Sequence, residues 1–155
     1  MVLHLLTGFS GRIGRGAFWL GVAIMFAIQL ALSFLWVGMF HSTGGTETER
    51  AMGWLALAVL LWVSAALIVK RLHDRGKSAL WYPLYGLAPA LAYQLGVTFS
   101  SKISNELGLA QVCFWLVSWA LWIWVFVELG CMRGTIGPNR FGPDPLTERA
   151  PRMSK

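Results

Sequence analysis

The sequence predicts an all-α membrane protein: four transmembrane helices in an antiparallel bundle, with N- and C-termini cytoplasmic. Three observations carry that prediction. Of 155 residues, 56% are hydrophobic and 13% charged, about half the charged share of a soluble domain, so there is too little polar surface to coat a globule in water. The apolar residues fall into four stretches, Ala17–Phe40, Ala51–Val69, Leu80–Phe99 and Leu109–Met132. Each approaches or exceeds the ~20 residues that a helix needs to cross a ~30 Å hydrocarbon core. Finally, eleven of the thirteen Lys and Arg residues lie in alternate gaps. These are Arg12 and Arg15; Lys70, Arg71, Arg75 and Lys77; then Arg133, Arg140, Arg149, Arg152 and Lys155. The other face receives only Arg50 and Lys102. Such a bias in short loops sets orientation, positive side inward.

The first stretch has no small-x-small cleavage pattern after it and reads as a signal anchor that is retained. The second is interrupted only by Ser64. The third holds Pro83, Pro89, Gly86, Gly96, three tyrosines and Gln94. Pro89 deprives the Tyr85 carbonyl of its helical donor, which predicts a kink and a place inside the bundle, where that carbonyl can find another partner. The fourth carries Trp115, Trp119 and Trp122 on one face, and Trp19, Trp36, Trp54, Trp81 and Trp115 fall near span ends, where indoles favour the headgroup layer. Residues 1–133 form one domain, and 134–155, with three Gly and four Pro, an irregular cytoplasmic tail packing partly on the inner face. The loops His41–Arg50 and Ser100–Gly108 are polar and too short to fold alone. Gly14-Arg15-Gly16-Ala17-Phe18-Trp19 before the first helix and Gly76-Lys77-Ser78-Ala79-Leu80-Trp81 before the third share one pattern, which suggests two parallel hairpin repeats.

Three polar blocks interrupt the apolar chain, all on the predicted inner face. They are Phe9-Ser10-Gly11-Arg12-Ile13-Gly14-Arg15 leading into Phe18-Trp19, then Lys70-Arg71-Leu72-His73-Asp74-Arg75-Gly76-Lys77-Ser78, then Gly137-Pro138-Asn139-Arg140-Phe141-Gly142-Pro143-Asp144-Pro145. Together they resemble the three signature blocks of the small bacterial inner-membrane proteins of the YhaH type, domain of unknown function 805, in the same order around four spans. The resemblance covers nearly the whole chain. It implies a multi-pass protein of the bacterial inner membrane and supplies no activity.

Read for chemistry, Gly76-Lys77-Ser78 imitates the end of a phosphate-binding loop, but Arg71 stands where the first glycine is required and a membrane helix replaces the preceding strand. Ser78 or Asp74 is better placed to cap the third helix. His73 and Asp74 offer acid–base groups but too few ligands for a metal, since His4 lies on an apolar stretch and His41 on the opposite face. Arg12, Arg15, Arg71, Arg75, Lys77 and Arg140, with Asn139 nearby, form either a packed basic, aromatic cap or an anion site with the helix-three N-terminus. Glu128 is the one charge inside the spans, and it is placed to pair with Lys70 or Arg71. Cys113 and Cys131 sit about 27 Å apart on one helix, beyond disulfide reach.

The net charge of +6 borders membrane spans and so points to lipid headgroups, not nucleic acid. The expected function is a non-enzymatic accessory or scaffold protein without cofactor, whose inner cap meets anionic lipid or a membrane-protein partner, with homo-oligomerisation open. The alternatives are a small oligomeric transporter or channel using Glu128, and a membrane enzyme acting on a phosphorylated lipid near His73 and Asp74.

Overall fold

A computed structural model describes residues 6–40, 46–103 and 108–146; His4, His41, Arg149, Arg152 and Lys155 lie outside the described residues, as do the first half of the loop His41–Arg50 and residues 104–107. Helices make up most of the described residues, with no strand among them and one isolated pairing, Asn139 with Gly142. Four α-helices follow in order: α1 (Arg15–Phe40), α2 (Glu47–Asp74), α3 (Ala88–Ile103) and α4 (Leu109–Val125). A 3-10 turn (Ala79–Trp81) and a π turn (Pro83–Leu87) lead into α3, and a second π turn (Phe126–Cys131) ends α4.

Three helical segments are long and apolar enough to cross a membrane: Arg15–Trp36, Glu47–Asp74 and Leu109–Cys131, with mean hydropathies of 2.1, 2.3 and 1.9. Their flanks face outward as large apolar groups such as Phe34, Trp54, Leu55, Trp62 and Trp119, all more than half exposed, as a lipid-facing surface requires. Helix α3 is different. Its 16 residues rise only about 24 Å, and the two non-α turns before it take up the start of the third apolar stretch. The break also falls earlier than a simple kink at Pro89. In the π turn the Ala88 N–H reaches back to the Pro83 carbonyl. This wider winding shifts each carbonyl's partner one residue onward, which lets the chain pass a proline that has no N–H to give. Nor is α3 enclosed: Pro89, Ala92 and Gly96 are buried, but Leu91 and Tyr93 are exposed.

Helices α3 and α4 pack closely. A Cβ on Gly96 would stand 2.5 Å from the Trp115 ring, so only glycine admits that contact, and the Ser118 hydroxyl donates to the Pro89 carbonyl at 2.8 Å. Helix α1 meets α2 at another close approach, Gly21 against Leu67. The two hairpins join chiefly at their basic end, where the turns before α3 touch α2 and the π turn ending α4 touches α1 and α2. The buried apolar core sits at that end too: Ile13, Phe18, Leu67, Leu72, Tyr85, Val125 and Leu129. The helical approach to α3 through two irregular turns has no counterpart at α1, which starts directly at Arg15, so the repeated Gly-basic-small-Ala-apolar-Trp pattern is not matched by one local backbone.

Candidate functional site

The basic end begins with how α2 stops. Gly76 adopts φ +73°; the Gly76 N–H bonds the His73 carbonyl at 3.0 Å and the Lys77 N–H bonds the Leu72 carbonyl at 2.9 Å. This is the paired-bond ending that a left-handed glycine permits. It holds Arg71 and Asp74 on one face at i, i+3 while turning Arg75 and Lys77 back toward α4.

Arg71 is fully buried. Its Nε donates to the Leu129 carbonyl at 2.6 Å, its Nη1 to the Ile13 carbonyl at 3.3 Å and to Asp74, and its Nη2 to the Met132 carbonyl. Arg12 comes from the first block, its side chain 1% exposed. It donates to Asp74 Oδ1 from Nε at 3.2 Å and Nη2 at 3.1 Å, and to the carbonyls of Thr135 and Gly137 at 2.6 and 2.7 Å. Asp74 thus lies between two guanidinium groups that also fix the start of α1, the end of α4 and the tail.

The tail closes over this pair. The Thr135 N–H and hydroxyl both donate to the Asp74 carbonyl, at 2.8 and 3.1 Å. Asn139 donates to the His73 carbonyl at 3.0 Å and accepts the Phe141 N–H at 2.9 Å, shaping a tight turn closed by reciprocal 3.0 Å bonds between Asn139 and Gly142. That turn lays Phe141 flat on the His73 ring, with centroids 3.9 Å apart and planes 7° from parallel. His73 Nδ1 sits 3.3 Å from the Gly11 carbonyl, and Arg140 lies over Phe141. Asp144 accepts N–H bonds from Leu146 and Gly137. These bonds, against desolvation and with help from the charges of Arg12 and Arg133, hold its carboxyl below the usual aspartate range.

The end of α4 explains why so many cations gather here. Five consecutive carbonyls, from Leu129 to Arg133, each accept a side-chain donor from another segment: Arg71 at Leu129 and Met132, Trp19 at Gly130, Arg15 at Cys131 and Arg75 at Arg133. A helix C-terminus leaves orphan carbonyls and a negative dipole end, and guanidinium groups answer both.

Beside this cap lies a second cluster. Glu128 Oε1 accepts from Lys77 Nζ at 2.8 Å and Arg75 Nη2 at 3.3 Å, and Lys77 also bonds the buried Tyr85 hydroxyl. Desolvation opposes the Lys77 charge, but the bonds and charges of Glu128 and Tyr85 outweigh it and raise the ammonium above its ordinary value. The structure therefore corrects the expected partners of Glu128: they are Arg75 and Lys77, not Lys70 or Arg71, because Arg71 is committed to Asp74 and the α4 carbonyls. It also corrects the expected cap. Ser78 precedes the 3-10 turn without a side-chain cap bond, and Asp74 faces the two arginines.

Of the residues singled out from sequence, Arg12, Arg71, His73, Asp74 and Asn139 meet in one cap, while Arg75, Lys77 and Glu128 meet beside it. Arg15 stands at the rim, Arg140 lies outward on Phe141, and Ser78 is apart. Trp19 was expected among the aromatic residues of the cap, whereas Thr135, Gly134 and Tyr85 were not singled out as site residues. Only Gly134 carries a sequence signal for its role, a small residue where Asp74 passes. Among the described residues no three His, Cys, Asp or Glu side chains converge to hold a metal ion.

All three blocks of the sequence build this one cap, and the family model described as "Protein of unknown function (DUF805)" matches residues 6–143, which take in the first two blocks and the third as far as Pro143. The chain belongs to the DUF805 family. This DUF805 chain is 32% identical over 143 residues to the Escherichia coli K12 protein named "Uncharacterized protein YiiR", covering 90% of the chain and 86% of that protein. It is 26% identical over 147 residues to the E. coli K12 protein named "Inner membrane protein YhaH", covering 95% of the chain and 94% of that protein. No solved structure matches it.

Proposed function

We propose that this DUF805 chain is a multi-pass accessory protein of the bacterial inner membrane, with four spans and both termini cytoplasmic. Its basic cap meets the anionic headgroups of the inner leaflet. The single observation that carries the reading is the cap itself. Its buried interior is a closed ion network, Arg12 and Arg71 around Asp74, while Arg15, Arg133 and Arg140 remain exposed on its outside. Interior charges used up on structure, with cations left over at the rim, suit a platform at a headgroup layer, where each basic residue contributes about 1 kcal/mol. The name of the relative YhaH supports the inner membrane, and the outward cations support the cytoplasmic side.

The other two readings draw less support. Glu128 is held by two cations, which suits a structural tie between α4 and the loop after α2 more than a proton path. Asp74 borders an open cleft, but both its oxygens are engaged by arginines, and His73 is covered by Phe141.

Cysteine scanning in a background with Cys113 and Cys131 replaced by Ser tests the topology. A cysteine at position 140 should react with an impermeant maleimide only after the cells are opened, and one at position 46 should react in intact cells. Labelling of position 140 from outside would overturn the orientation and with it the headgroup reading.

A further inference from the structure

We propose that the cleft at the start of α1 is a binding site for the phosphate group of an anionic phospholipid, held by Arg15 and Arg133 with the exposed backbone of the first turn. The proposal rests on the reading that the basic end lies at the inner leaflet, and adds to it a discrete site. The cleft measures about 690 Å³, and its lining includes Arg12, Arg15, Arg71 and Arg133 against Asp74 and Asp144. Four arginines against two aspartates leave two positive charges.

The hydrogen bonds say which cations are in surplus. Asp74 is engaged by Arg12 and Arg71, and those two guanidinium groups spend their remaining donors on backbone carbonyls. Asp144 accepts two backbone N–H groups while its charge also faces Arg12 and Arg133, so two carboxylates offset four arginines and the lining stays net positive. Arg15 uses one nitrogen, Nη1, on the Cys131 carbonyl, and among the described residues no side-chain hydrogen bond is recorded for Arg133. The donors left over therefore belong to Arg15 and Arg133, the two that reach the cleft from different segments. Guanidinium forks suit phosphate oxygens.

The backbone supports the same ligand. Helix α2 is capped by Thr46 and Glu49 in a reciprocal pair and carries Glu47 and Glu49 in its first turn. Helix α1 has no acidic residue in its first turn, a glycine before it and Arg15 as its first residue, so a cation sits at the positive end of the dipole. The first bond in the helical register there is Phe18 N–H to the Gly14 carbonyl, which leaves the amides of residues 15 to 17 without a helical acceptor. A Cβ placed on Gly16 would meet nothing within 4 Å, so an incoming oxygen has access. An anion offsets the Arg15 charge and takes up those amides together.

The surroundings favour a lipid over a free phosphate. The lining also contains Ile13, Ala17, Pro145 and Leu146, and one turn beyond Ala17, Leu20 is 53% exposed on the same helix face. A headgroup in the cleft therefore has an apolar track along α1 for its acyl chain.

The test uses the full chain in nanodiscs of phosphatidylcholine alone, of phosphatidylcholine with phosphatidylglycerol, and of phosphatidylcholine with added sodium phosphate. Thermal unfolding and native mass spectrometry of retained lipid are the readouts. Phosphatidylglycerol should raise the unfolding midpoint and stay bound through delipidation, and the double variant R15Q/R133Q should weaken retention roughly tenfold to a hundredfold, the size of two lost headgroup-facing cations. Gly16→Asp should do the opposite to stability: its own carboxylate serves the helix end, so the midpoint in phosphatidylcholine rises while the phosphatidylglycerol increment disappears. That opposite sign guards against reading misfolding as lost binding. If Arg140→Gln, outside the cleft, lowers retention as much as the double variant, binding is diffuse; the discrete site is overturned while the basic-platform reading stands. If phosphatidylglycerol has no advantage over phosphatidylcholine, both are overturned. Protection by sodium phosphate without any effect of phosphatidylglycerol overturns the lipid assignment.

Discussion

Replacing Asp74 with Asn keeps the shape of the side chain and removes the charge on which the cap is organised. The side chains involved are nearly sealed from water: Asp74 is 4% exposed, Arg12 1% and Arg71 0%. Solvent therefore cannot take over the lost interaction, as it does at a surface pair worth about 0–1 kcal/mol. Asn offers one acceptor oxygen and turns an NH2 toward a guanidinium, so at least one of three charge-assisted bonds is lost and two buried cations are left without a counter-charge. Removing one partner of a buried ion pair costs about 3–5 kcal/mol, against a total stability of about 5–15 kcal/mol. The expected outcome is a protein that unfolds at much lower denaturant, or fails to accumulate.

Glu128→Gln is the comparison. Its ion pairs are more open, the Lys77 side chain being 30% exposed and Arg75 19%, so its loss should be less than half as large. The assay is equilibrium unfolding in mixed micelles followed by tryptophan fluorescence, for which nine tryptophans give ample signal. A double-mutant cycle of Arg12→Gln with Asp74→Asn should return a coupling of about 1–3 kcal/mol. An Asp74→Asn loss below about 1 kcal/mol, the size of a surface pair, would refute the reasoning, because the network would then be absent or wet.

Arg71→Lys should be nearly as damaging as Arg71→Met, since one ammonium cannot reach the carbonyls of Ile13, Leu129 and Met132 together with Asp74; near-native unfolding of the lysine variant would mean that charge alone suffices. Gly134→Ala should destabilise strongly, because its Cβ would stand 2.0 Å from Asp74 Oδ2 and two arginines prevent that carboxylate from moving. Gly16→Ala, with open space around it, should be neutral or stabilise by roughly 0.5 kcal/mol, as the same unfolding assay will report. For Asp144 the native carboxyl is held below its ordinary value of 3.8, so its contribution is present above that value and is lost as pH falls through the lower native one. Protection of the tail from limited proteolysis should therefore be unchanged from neutrality down to that ordinary value and decline only in stronger acid.

The all-helical class was legible because length, hydropathy and the distribution of Lys and Arg report it directly, and the gathering of three polar blocks at one end followed from the alternation of apolar stretches. The partners of Glu128 were not legible. Lys70 and Arg71 seemed nearest because they end the same apolar stretch, but a side chain's reach depends on how the loop turns. The left-handed Gly76 brings Arg75 and Lys77 back over α4 while Arg71 points into the carbonyls. The winding before α3 was half legible. Two prolines announce a disturbance, but whether a helix kinks or widens into a π turn depends on what its neighbours will fill. The tail was expected to be irregular and to pack partly on the inner face, but the contacts by which residues 134–146 do so could not be seen. Thr135 and Asn139 bind to backbone atoms, and backbone atoms leave no trace in sequence.

The design of the cap also bears on why so costly a structure is used where an apolar plug would be simpler. Replacing a buried ion network with packed apolar side chains often leaves stability unchanged or improved, so stability alone does not account for Arg12, Arg71 and Asp74. At the edge of a bilayer an apolar plug has a second option: it can sink into the hydrocarbon and carry the helix ends with it. A cap built on two guanidinium groups cannot follow, because a charged side chain meets a rising penalty with depth. The same arginines bind the ends of α1, α2, α4 and the tail, so the penalty acts on all of them at once. On the proposed headgroup reading, the helix ends are thereby held at a common level, and with them Arg15 and Arg133. On this argument an Arg71→Met, Asp74→Leu double variant that still folds should let the cap shift toward the hydrocarbon. Depth-dependent quenching of a fluorophore on a cysteine at position 140 would read that movement, and an unchanged depth would separate the buried network from the positioning role argued for it.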